Sequence, residues 1–162
     1  MATLLLDTHV PALGHHQREE VGRELQAALV ELIDLSLIGK QLHWTLFGRP
    51  FKPTHEHLDE LVDLLRDLSD TIAERAVALG YMPDGQAATI HADSDITPIE
   101  RGALDTDRAV RSLVERLADV DERMRTRMDR LGELDLPSQD VLIEVVRGLE
   151  KQLWMLRASL PA

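Results

Sequence analysis

The chain contains no cysteine, so disulfides and thiolate metal sites are both excluded. Aromatic residues make up only 3% of it, against 44% hydrophobic residues in all. A core must therefore be built from Leu, Val, Ile and Ala, which favours helices. No apolar run approaches the roughly 20 residues of a membrane-spanning helix. The opening "MATLLLDTHV" has no basic residue and a run of only three leucines, a poor secretory signal. A cytoplasmic protein is expected. Lysine is scarce, being confined to Lys40, Lys52 and Lys151, and 29 acids outweigh 18 bases to give a net charge of −11. Such a surface repels phosphate backbones and attracts cations. No β-alternating stretch of useful length and no internal repeat occurs.

The 162 residues fit one domain with a real core, read as a tail over 1–16 and a bundle over 17–162. Apolar residues at helical spacing run from Val21 to Ile38, and that helix is expected to end near Phe47. "GRPFKP" stops it. A second helix is expected from Thr54, as N-cap, through Leu58, Leu61, Leu65, Leu68 and Ile72 to Leu79, before Gly80. Residues 81–104 read as a long crossover with a short helix in "DGQAATIHA". A third helix is expected from about Asp105 to Arg130, and a fourth from about Pro137 to Leu160. Four helices with two short links and one long middle crossover describe an all-α, ferritin-like bundle.

The second helix carries His55, Asp59, Asp70 and Glu74. At about 100° per residue these project near 0°, 40°, 60° and 100°, on one flank of the leucine stripe at roughly 260°. His55 and Glu74 are about 28 Å apart along the axis, so one chain cannot bring all four to one ion. They form two half-sites. Both pairs share a centre: His55 and Glu74 lie equally far from the point between Leu64 and Leu65, and so do Asp59 and Asp70. If two copies of the helix pack antiparallel about that point, His55 faces Glu74 and Asp59 faces Asp70, completing two identical sites. His43, just before the turn, folds back toward His55 and Asp59. Two imidazoles and three carboxylates suit a first-row divalent ion, with Fe(II), Mn(II) and Zn(II) all acceptable. The plainer reading is a solvated acidic face, since Glu56, Glu60, Asp63 and Asp67 share the helix.

The stretch "KQLHWTLFGRPFKPTHEHLDEL", continued by "DLSDTIAERAVALGY", closely resembles the signature of the Dps family, the miniferritins. "LEKQLWMLRASL" is similar to that family's final helix. The resemblance implies a hollow dodecamer of tetrahedral symmetry, built from two-fold dimers with a ferroxidase site at each dimer interface. It implies that Fe(II) is oxidised, commonly by hydrogen peroxide and otherwise by oxygen, and stored as ferric mineral. His43, His55, Asp59, Asp70 and Glu74 would then be iron ligands, with zinc or manganese able to substitute, and Trp44 would lie close to the site.

Thr45 stands where the family often has Asn, a position that is not a ligand. Residues 1–17 contain no Lys or Arg, whereas DNA-binding members commonly use a lysine-rich terminus. DNA binding is therefore expected to be weak or absent. The alternatives are a nucleoid-associated DNA-binding protein with a secondary metal site, and a structural metal site that only locks a dimer. Asp135, Asp140 and Glu144 gather at the start of the fourth helix. In proteins that resemble this one that region surrounds a three-fold axis, which makes these acids candidates for an iron-uptake pore. Acids also favour the first turn of any helix. His57 should point away from His55. His9, His15, His16 and His91 receive no role.

Overall fold

The computed structural model describes residues 13–161. The helices are α1 (His15–Thr45), α2 (Phe51–Ala78), α3 (Ala87–Asp93), α4 (Thr106–Leu134) and α5 (Leu136–Ser159). α1 packs with α2 and α4 with α5, and these two hairpins meet through α1 with α4 and α2 with α5. This is the expected ferritin-like bundle, with α3 as the short helix of the crossover, laid against α1. Among the described residues no helix is long and apolar enough to cross a membrane.

The leucine stripes meet at the centre. Leu25, Leu32, Leu35, Leu61, Leu65, Leu113, Leu117, Leu142 and Leu149 have no exposed surface. Burial stabilises by about 1.5–3 kcal/mol for each such side chain. One carboxylate is sunk among them: Glu31 is 1% exposed and accepts hydrogen bonds from Arg127, at 2.7 Å, and from Arg123. The two guanidiniums supply the compensation that a buried charge requires, and they tie α1 to α4. Gly22 is dictated by packing. A Cβ there would lie 2.0 Å from the Tyr81 ring.

The ends of the helices depart from expectation in ways that matter for the site. α1 stops at Thr45, short of Phe47. Leu46–Phe47 is extended (β1) and pairs in parallel with Leu104–Asp105 (β2), Leu46 beside Leu104. The Thr106 hydroxyl donates to the Phe47 carbonyl at 2.6 Å. Gly48 follows at φ +100°, where a Cβ would come within 2.9 Å of Asp105. The turn is thus pressed against the start of α4, which is why the helix gives way there.

α2 opens at Phe51, and Thr54 is not its N-cap. That hydroxyl instead donates to the Pro50 carbonyl at 2.9 Å from inside the first turn. Pro53 is tolerated because the N–H it lacks has no helical partner in a first turn. α4 continues past Arg130 to Leu134, and α5 begins at Leu136. The corner between them is the single residue Asp135, which accepts from the Ser138 N–H at 3.1 Å. α1 opens at His15, so His15 and His16 belong to a helix rather than a tail. His9 lies outside the described residues.

Candidate metal centre

The short, pinned turn between α1 and α2 brings His43 and His55 face to face. Their rings stack with centroids 3.6 Å apart and planes inclined by 21°. His43 Nδ1 lies 2.9 Å from the His55 carbonyl oxygen, and His55 Nδ1 lies 3.0 Å from that of His43. A carbonyl can only accept, so both Nδ1 atoms carry hydrogen. In the neutral ring this leaves the lone pair on Nε2. Metal-binding histidines are oriented in this way, with the second ring nitrogen held by a carbonyl or carboxylate. Among the described residues neither Nε2 has a hydrogen bond within the chain. Phe51 stacks on the outer face of His55, 5.1 Å between centroids.

Asp59 stands one turn beyond His55. Donor atoms of His43, His55 and Asp59 all lie within 4.8 Å of one another, the one such group of potential ligands among the described residues. Asp59 Oδ1 is 3.4 Å from His43 Nδ1 and accepts a hydrogen bond from the Lys40 ammonium. That bond, more than the nearby imidazoles, holds the Asp59 carboxyl below the ordinary aspartate range. The donor set fits a first-row divalent cation. His43 is 7% exposed, but the Asp59 side chain is 46% exposed. The centre is therefore open on one side, with three protein donors among the described residues.

The structure does not bring Asp70 and Glu74 to this group. Both are exposed farther along α2, about 16 and 22 Å beyond Asp59 along the axis. Asp70 borders a groove of about 430 Å³ between α1 and α2. Trp44, next to His43 in sequence, is 68% exposed. His57 points away from His55, its Nε2 2.8 Å from Gln152 on α5, and His91 is exposed at the end of α3. Of the acids at the start of α5, Asp140 and Glu144 are exposed. Asp135 accepts from Arg75 at 2.6 Å and from Ser138. Burial raises its carboxyl, but those partners together outweigh this and lower it. Lys40 is the site residue that pattern reading missed. Its signal was present in its place one turn before His43, on the same face of α1.

The ferritin-like domain family matches over residues 23–161. The chain is 36% identical over 153 residues to the DNA protection during starvation protein of Mycolicibacterium smegmatis, covering 93% of this chain and 82% of that one. Its structure superposes on Mycobacterium smegmatis Dps with a TM-score of 0.93, at 32% identity over 97% of this chain and 95% of that one. On DpsA14 from Streptomyces coelicolor the TM-score is also 0.93, at 31% identity over 99% and 96% of the two chains. A bundle of this topology and a family match across nearly its whole length lead to one conclusion: the chain belongs to the ferritin-like domain family, among its Dps proteins.

Proposed function

We propose that the protein is a miniferritin that oxidises Fe(II) and stores the ferric product in a hollow dodecamer. The observation that carries this reading is the reciprocal pair His43 and His55. Each ring is fixed by the other's carbonyl, which leaves both Nε2 lone pairs for a cation, and Asp59 belongs to the same cluster, with donor atoms of the three residues within 4.8 Å of one another. Fe(II) is the substrate. His43, His55 and Asp59 of one copy bind it together with Asp70 and Glu74 of a second, antiparallel copy. The equal spacing of the two half-sites about the Leu64–Leu65 point supports that arrangement.

Five donors, three of them carboxylates, can hold a pair of ferrous ions and neutralise the charge that grows on oxidation. Each Fe(II) gives one electron, and hydrogen peroxide with two protons leaves as water. Taking both electrons at one site releases no hydroxyl radical. Fe(III), harder and more oxygen-loving, then passes from the carboxylates to mineral.

Asp140 and Glu144, exposed on one face of α5, are proposed to line the uptake pore at a three-fold axis. Asp135 contributes there less directly, because its carboxylate caps α5 and holds Arg75. DNA is not part of the reading: the net charge is −11 and residues 1–17 carry no Lys or Arg, so that segment supplies none of the clustered cations that phosphate neutralisation needs.

The test is anaerobic loading with Fe(II), followed by peroxide or oxygen, with absorbance and native mass read together. Ferric absorbance that grows with peroxide on a particle of about twelve chains supports the proposal. Tight binding of metal with no oxidation supports a structural site that only locks a dimer.

A further inference from the structure

Between the two half-sites, α2 leaves two charged side chains without a partner. Asp63 and Arg66 are both exposed, and among the described residues neither has a hydrogen bond or ion pair within the chain. At about 100° per residue they project near 80° and 20° from His55, inside the arc that holds the four helix-two ligands. They are also balanced along the helix. Asp63 and Arg66 lie equally far from the Leu64–Leu65 point that centres His55 with Glu74 and Asp59 with Asp70. Three nested pairs therefore share one centre and one flank, and the innermost pairs an acid with a permanent cation.

We propose that Asp63 of each copy forms an ion pair with Arg66 of the other across the two-fold axis. The two pairs fix the register in which the split metal centre closes. This inference rests on the two-copy reading of the site. Without these pairs the contact is electrostatically adverse, because Asp63, Asp70 and Glu74 of both copies converge before any metal ion arrives, and Lys40 offsets only Asp59. Arg66 is the one cation on this flank between Asp59 and Glu74. Antiparallel helices pack with axes about 8–10 Å apart, within the combined reach of an arginine and an aspartate. Sliding the helices by one turn in either direction takes Arg66 away from Asp63, and that carboxylate then meets Asp70 or Val62. Apolar surface lies alongside. The groove beside Arg66 and Asp70 is lined by Leu29, Ile33, Leu37 and Ala73, and Leu37 is 53% exposed. A second copy on this face would cover it, and the same patch on both copies is what an isologous contact requires.

Charge reversal tests the pairing in the full chain. Asp63→Arg, Arg66→Asp and the double variant are compared by sedimentation across a concentration series. Binding of Co(II), read from its visible absorption without oxidant, reports on the metal centre. Both positions are exposed, so circular dichroism should match the parent. Each single reversal brings like charges together twice and should weaken two-fold association on the order of 100-fold, with loss of Co(II) affinity. The double variant should recover both properties. Mixing the two single variants should also recover both, because each Arg then faces an Asp.

Single reversals that associate like the parent overturn the proposal and leave the two-copy site standing. A double variant or a mixture as weak as the singles also overturns it. If the singles dissociate while Co(II) affinity is unchanged, the pairing holds but its role at the metal centre is overturned, together with the split-site reading.

Discussion

Replacing His43 and His55 by alanine, singly and together, reads the geometry of the centre as a stability measurement on metal-free protein. Each imidazole donates one hydrogen bond to the other's backbone carbonyl, at 2.9 and 3.0 Å, and the rings stack at 3.6 Å. A hydrogen bond of this kind contributes about 1 kcal/mol, and a stacked ring pair about 0.5–1.5 kcal/mol. His43→Ala loses one bond and the stack, a cost of about 2 kcal/mol, and His55→Ala loses the same. The double variant loses both bonds but the stack only once. Its cost should be about 3 kcal/mol, roughly 1 kcal/mol less than the sum of the singles. Urea unfolding at one fixed protomer concentration gives the three values, since association shifts apparent stability. The protein should stay folded throughout, because neither ring belongs to the leucine core. Singles that cost less than about 0.3 kcal/mol, or costs that simply add, would refute the reciprocal arrangement.

Lys40→Met should move the Asp59 titration upward toward the ordinary 3.8, since the Lys40 hydrogen bond is the foremost cause of its lowering. In the parent the stability contributed by that pair is present above pH 3.8 and lost as the pH falls through the lowered value. Carboxylate NMR of metal-free protein follows both changes, and an unmoved Asp59 midpoint would remove Lys40 from the account. Asp140→Asn with Glu144→Gln keeps size and removes charge. It should slow iron uptake and weaken its dependence on ionic strength while assembly is unchanged, and parental kinetics at low salt would exclude these acids from the route. Duplex DNA should show little or no mobility shift at physiological salt, and tight, salt-sensitive retention near neutral pH would overturn that expectation.

Much of this molecule could be read in advance because its helices are long and periodic. The leucine spacing on α1 and α2 defined the buried faces, and the flank with His55 and Asp59 followed from the same 3.6-residue period. The meeting of His43 with His55 was legible because five residues between helices leave the chain little choice but to fold straight back. The pairing of Leu46–Phe47 with Leu104–Asp105 was not legible. A two-residue ladder has no period, and its partner lies across the crossover. The start of α2 was misjudged because "GRPFKP" looks like a stop, although proline fits a first turn. The Lys40–Asp59 bond and the Arg75 grip on Asp135 join residues whose register depends on how the helices pack. Pattern within one helix carries no such information.

Mixed dimers test the central claim, that each metal centre is shared by two chains. One chain lacks His55 and Asp59, the other lacks Asp70 and Glu74, and the two are expressed together. Neither variant alone retains a complete site. In a mixed dimer one site keeps all its ligands and the other loses all four from α2. Anaerobic Fe(II) loading followed by peroxide should show no fast oxidation in either variant alone. The co-assembled protein should recover about one quarter of parental activity when the two chains mix at random in equal amounts. Absence of any recovery in verified mixed assemblies would contradict the shared centre.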